Sequence, residues 1–207
     1  MLTLLSRVFF LCYFLKFLIK NKEFRDLSKY KRVGNGLSNT FIYDNKFVIK
    51  IKNPIREYLN KKIYNGAYEN KFYYDTNNKF KKEFDILNIL YKNNLAPKPI
   101  FYDSYYLILT YIEAINLSNF LRKDISIIKH VIEAIHKMHS LNIFHGDLNL
   151  DNILVTKDNQ IKFIDFESNF RDDLSKEEKI KLEFTIFEEK MKRFYPEIWE
   201  KYKRWKS

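Results

Sequence analysis

The stretch 126–167 constrains the fold more than any other part of the chain. Ile127, Ile128, Val131, Ile132, Ile135 and Met138 recur at helical period, so Ser126 to Leu141 reads as an amphipathic helix with one face in a core. Two short runs, 152–156 and 160–164, flank Lys157-Asp158-Asn159, and this pattern predicts a β-hairpin. Between helix and hairpin lies His145-Gly146-Asp147-Leu148-Asn149-Leu150-Asp151-Asn152, and the hairpin runs out into Ile164-Asp165-Phe166-Glu167. The acids Asp147 and Asp165 and the amide Asn152 therefore gather around one hairpin. Hard oxygen donors of this kind suit Mg²⁺, which takes few protein ligands and completes its octahedron with water and phosphate oxygens.

A chain of 207 residues makes one domain, or one domain built of two lobes, and 46% hydrophobic residues exclude wholesale disorder. The single cysteine, Cys12, excludes an internal disulfide and a cysteine-based zinc site, as suits a reducing cytosol. Glycine is scarce: Gly34, Gly36, Gly66 and Gly146 are all there are, so each is expected where a side chain would fail sterically. The formal charge of +11 favours anionic partners such as nucleotides, nucleic acid or acidic lipid, although a lysine- and asparagine-rich composition of an AT-biased genome would produce it too.

Leu2 to Ile19 is mostly apolar, but Arg7 and Lys16 interrupt it, whereas a membrane span needs about 20 largely uncharged residues. No small-residue cleavage site follows, so export is not expected, and the segment reads as a helix lying on a membrane surface or packed on the domain. Residues 30–52 read as a β region: Lys31-Arg32-Val33, a Gly34-Asn35-Gly36 turn, Thr40-Phe41-Ile42-Tyr43, a turn at Asp44-Asn45, and a strand from Lys46 to Lys52 with one wet face. Residues 53–78 form a Tyr- and Lys-rich insertion without clear periodicity. Phe80, Phe84, Leu87, Ile89 and Leu90 predict a helix that ends before Pro97, and Tyr105 to Tyr111 a buried strand. A charged amphipathic helical region runs from the hairpin to Trp205.

The loop at 145–152, answered by Asp165 after the hairpin, resembles the protein-kinase-like superfamily, with its His-Arg-Asp-x-x-x-x-Asn loop and Asp-Phe-Gly motif. The resemblance runs from about Val33 to Phe170. It implies an α+β, two-lobed protein-kinase-like fold, with a small β-rich N-lobe (30–112), a truncated, mostly helical C-lobe (113–207) and ATP and Mg²⁺ bound between the lobes; the apolar and basic N-terminal helix (1–29) precedes it. It assigns Asp147 to the acceptor hydroxyl, and Asn152 and Asp165 to the metal. Phe47-Val48-Ile49-Lys50 is similar to the family's Val-Ala-Ile-Lys strand, which places Lys50, or Lys52 on the same face, at the phosphates and Val48 over the adenine. Glu83, or else Glu69, is then the ion-pair partner of that lysine. Gly34-Asn35-Gly36-Leu37-Ser38-Asn39 resembles a shortened glycine-rich phosphate loop, with Asn39 in place of a third glycine, in a role that left-handed backbone would suit. Thr110, Tyr111 and Ile112 correspond to the hinge whose backbone meets adenine. His139 and His145 read as structural, His145 buttressing the loop.

Departures from typical protein kinases narrow the kind. Gly146 stands where many carry an arginine for an activation-loop phosphate, Asn149 where a lysine is common, and Glu167 replaces the glycine of Asp-Phe-Gly. The forty residues after Glu167 are too few for a peptide-docking helical lobe. The His-Gly-Asp form resembles aminoglycoside and choline phosphotransferases, RIO-type and tRNA-modification-associated kinases and bacterial lipopolysaccharide core kinases. Among these, the shortness, basic charge, apolar start and Tyr- and Lys-rich insertion are most similar to the lipopolysaccharide core heptose kinases, which implies a glycolipid or small-molecule hydroxyl as acceptor. That resemblance also implies a cytoplasmic protein held peripherally on the anionic inner face of the membrane. The alternatives are an atypical serine/threonine protein kinase of the RIO-like or tRNA-modification-associated type, acting on a protein, and a pseudokinase scaffold. A nucleic-acid-binding module would leave the acids without a task, so no dedicated nucleic-acid site is expected.

Overall fold

Phe47–Lys52 forms the central strand of a five-stranded antiparallel sheet, and the covering of its two faces organises the N-terminal half of the protein. The computed structural model describes residues 2–34, 38–53, 55, 72–73, 79–122 and 124–200. The chain divides into two compact units, Met1–Asn88 with Pro97–Ile112, and Ile89–Ala96 with Glu113–Ser207.

In the first unit a 19-residue helix, Leu2–Lys20 (α1), precedes Tyr30–Gly34 (β1), Ser38–Tyr43 (β2), Phe47–Lys52 (β3), Lys79–Lys92 (α2), Pro99–Tyr102 (β4) and Tyr106–Thr110 (β5). The sheet order is β1-β2-β3-β5-β4, with Thr40 opposite Lys50 and Lys50 opposite Leu107. Asp44 and Asn45 both take positive φ, 52° and 49°, and Lys46 N–H donates to the Tyr43 carbonyl at 3.0 Å. This is the I′ geometry whose twist matches that of the flanking strands.

The expected wet face of β3 is absent: Ile49, Lys50 and Ile51 are all buried. Phe17 of α1 packs with Phe41, Ile49, Ile51, Tyr106 and Ile108, which covers one side, while on the other Lys50 meets Glu83 of α2. A strand covered on both faces loses its alternation. In α2 the buried side is Phe80, Glu83, Leu87 and Leu90; Ile89, placed in the apolar stripe from the sequence, faces solvent. The Gly34–Gly36 turn beyond Gly34, nearly all of the 53–78 insertion with Gly66 and Glu69, and the chain beyond Glu200, including Trp205, lie outside the described residues.

The second unit holds Ala114–Asn116 (β6), Ile127–Ser140 (α3), Ile153–Thr156 (β7), Ile161–Phe163 (β8) and Lys176–Phe194 (α4). Strands β6-β7-β8 form an antiparallel sheet. Residues 89–96 belong here because the Leu95 carbonyl accepts from Phe163 N–H at 2.7 Å and Lys162 Nζ donates to the Asn94 carbonyl at 2.7 Å. Burial lowers the pKa of Lys162 from the ordinary lysine value. α4 opens with a capping box: Ser175 Oγ accepts from Glu178 N–H, and the Glu178 carboxylate accepts from Ser175 N–H.

Candidate active site

In the first unit Lys50 is 6% exposed, and its Nζ donates to Glu83 Oε1 at 2.6 Å. Glu83 itself is fully buried. Taking both charges out of water costs several kcal/mol per ion, and removing one partner strands the other. Lys52 lies on the same face and is half-buried, but Lys50 is the lysine joined to α2. Val48 is half-buried and registers with Ile42 and Leu109. At the other candidate positions, Thr110 N–H donates to the Lys98 carbonyl at 2.9 Å and Tyr111 N–H to the Lys46 carbonyl at 2.8 Å. Ile112, the third of these positions, has an N–H that meets no backbone carbonyl among the described residues.

Gly34 ends β1 beside a register shift, opposite Thr40. Asn39 does not take the left-handed backbone foreseen for it: it pairs with Ile51 inside β2, and its Oδ1 accepts from Arg32 Nη2 at 2.9 Å. The ladder to β3 extends through it, so it shapes the strand rather than the turn.

In the second unit the loop 145–152 is pinned by alternation: Leu148 and Leu150 are buried, whereas Asp147 and Asn149 are half-buried and Asp151 exposed. Asn152 Nδ2 donates to the Asp147 carbonyl at 3.0 Å and lies 3.5 Å from Asp147 Oδ2. Its backbone carbonyl accepts from Ile164 N–H at 3.0 Å, next to Asp165. His145 is fully buried; its Nε2–H donates to the Ile164 carbonyl at 2.8 Å, which leaves Nδ1 to accept, at 3.4 Å, from Asp147 N–H. The His145 ring also lies 4.4 Å from that of Phe166. One imidazole thus ties the residue before Asp165 to the residue after Gly146. Asp165 itself has φ +71°, a conformation uncommon for a residue with a side chain.

These contacts bring Asp147, Asn152 and Asp165 to one end of the β7–β8 hairpin. With the Asn152 amide nitrogen turned to Asp147, its Oδ1 is a hard donor, and Asp165, just past the end of β8, adds a carboxylate of the same kind, the donor chemistry that suits Mg²⁺.

Glu183 escaped the sequence reading. It is fully buried on α4; Oε1 accepts from Gly146 N–H at 2.7 Å, and Oε2 lies 2.5 Å from His139 Nε2. His139 is therefore structural as expected, but through a carboxylate. Gly146 has φ +76°, and a Cβ there would stand 3.0 Å from the Ser168 backbone. The signal for Glu183 was its position in register with Phe187 and Met191, the buried residues of the same helix.

A small antiparallel sheet unit, a helical unit and this loop-and-hairpin site define a protein-kinase-like domain. The RIO-domain family model matches residues 46–180, more than half of the chain, and the protein belongs to the RIO-domain family. Among solved structures, the Rio2 kinase–ADP/Mg²⁺–phosphoaspartate complex from Chaetomium thermophilum is similar in fold, with a TM-score of 0.57 at 16% identity. The match covers 88% of this chain and 64% of that one, so the chain spans less than two thirds of the Rio2 structure. No curated protein matches the sequence. The family match agrees with the atypical-kinase alternative; neither comparison supports the resemblance to lipopolysaccharide core kinases.

Proposed function

We propose that the protein is a RIO-type phosphotransferase that moves the γ-phosphoryl group of ATP to a hydroxyl acceptor with Mg²⁺. The observation that supports this reading is the fixing of Asn152 by Asp147 and Ile164, which brings an amide and the residue before Asp165 together at one end of the hairpin. Bound Mg²⁺ supplies charge neutralisation at the phosphates. Lys50, held by Glu83, adds a positive charge to the phosphates, and Asp147 orients the acceptor hydroxyl and receives its proton. Gly34, Val48 and the 110–112 backbone are assigned to the nucleotide.

Family membership supports a protein hydroxyl as acceptor. A sugar hydroxyl of the lipopolysaccharide core has only the basic charge and apolar start in its favour. Labelled ATP offered to a protein extract and to core glycolipids separates the two. Because the Rio2 neighbour was captured with a phosphoaspartate, hydroxylamine-labile label on the chain itself would place an acyl-phosphate step on the route.

Asp165→Ala is expected to abolish Mg²⁺-dependent stabilisation by ATP while the chain stays folded; equal stabilisation of variant and wild type would overturn the reading. Asp147→Asn should keep ATP affinity while transfer falls by roughly 10²-fold or more. Retained turnover refutes the assignment of Asp147 to the acceptor.

A further inference from the structure

We infer that α1 lays the protein flat on an anionic lipid surface through the helix face turned away from the sheet. Phe10, Tyr13, Phe14 and Phe17 cover the sheet, yet the opposite side of the same helix is also apolar. Val8 is 49% exposed, Leu11 53%, Leu15 56% and Ile19 68%. At about 100° per residue, Val8, Leu15 and Ile19 fall within roughly 40° of one another and lie opposite Phe17. Arg7 flanks this stripe on one side and Lys16 on the other, both exposed. Packing on the domain therefore explains one face of α1 and leaves the second unexplained.

Charge selects the occupant. Residues 2–20 contain no Asp or Glu, and Lys22, Arg25 and Lys29 follow against Glu23 and Asp26. Two copies of α1 face to face would bring Arg7, Lys16 and Lys20 of each against a helix with no acid to pair them, which disfavours a homodimer. A bilayer bearing anionic headgroups takes the stripe into its acyl boundary and the flanking cations at its phosphates, the arrangement of an interfacial helix. No described helix is long and apolar enough to cross a membrane, so the helix lies in the surface plane. The inference does not depend on phosphotransfer, and its test involves no nucleotide chemistry.

The full chain is mixed with vesicles of phosphatidylcholine alone, or with roughly a third phosphatidylglycerol, and the bound fraction is read by flotation. Binding to the anionic vesicles only, weakened by added salt, is expected. The double substitution Leu15→Glu, Ile19→Glu should lower partitioning about tenfold or more at an unchanged unfolding midpoint, while Lys98→Glu, an exposed charge outside α1, should not. Cys12, exposed on the same side and the only cysteine, gives a second readout on the otherwise unaltered protein: an environment-sensitive dye there should shift to the blue with anionic vesicles. No binding by wild type, equal binding to neutral vesicles, an unshifted dye, or a dimer in solution that the double substitution dissolves would each overturn the proposal.

Discussion

Glu83 and Glu183 are both fully buried, and each holds a group that the candidate chemistry needs: Lys50 in one case, the Gly146 amide in the other. A glutamate in a sequence is ordinarily read as solvated, and only its place in an apolar stripe signals otherwise. Glu83 stands in register with Phe80, Leu87 and Leu90, as Glu183 does with Phe187 and Met191. Glu83 was legible because a family pattern asked for a carboxylate on that helix; Glu183 had no such prompt. Lys50→Met removes the 2.6 Å ion pair to the buried Glu83 carboxylate and is expected to cost about 3–5 kcal/mol, much of it recovered in the double variant with Glu83→Met. Urea unfolding of the four proteins of that cycle measures the coupling, and additivity would contradict it. At Gly146 the left-handed backbone and the 3.0 Å approach to Ser168 act together. Gly146→Ala is therefore expected to destabilise by about 1–3 kcal/mol, read as a lower urea midpoint.

Elements whose signal is local were legible: α3 from its period, the β7–β8 hairpin from its turn, and the Asp44-Asn45 turn from its residues. What failed depended on partners distant in sequence. The dry second face of β3, the one that carries Lys50, needs Glu83 of α2 set against it from 33 residues downstream, and the exposure of Ile89 follows from which side of α2 carries Glu83. α4 makes its hydrogen bond to the loop at 145–152 through Glu183. Glu183→Leu removes the acceptor of the Gly146 amide and the partner of His139, and a lost hydrogen bond to a charged group costs about 1.5–3 kcal/mol. Glu183→Gln keeps a carbonyl oxygen for the amide. The expected order of urea midpoints is wild type, then Gln, then Leu, with phosphotransfer following the same order; a Leu variant as stable as wild type would deny α4 this role.

At the scale of the whole molecule, the superfamily was legible because its donors sit in one short stretch, 145–167, where spacing and hairpin speak together. The acceptor was not, because recognition of a hydroxyl compound depends on surfaces outside that stretch, and the apolar start that suggested a glycolipid has one face committed to covering the sheet. Nucleotide binding is the property that tests the assembled reading. A ligand that binds only the folded state at a hundred times its dissociation constant stabilises by about 2.7 kcal/mol. For a chain of this length that corresponds to a rise of roughly 5–10 °C in the unfolding midpoint. Wild type and Asp147→Asn should show the full rise with ATP and Mg²⁺ together, because Asp147 is assigned to the acceptor. Lys50→Met and Asp165→Ala should show little or none, and excess EDTA should abolish the rise for wild type. A rise that survives chelation, or that Asp147→Asn loses while Asp165→Ala keeps, would reverse the assignment of the two carboxylates.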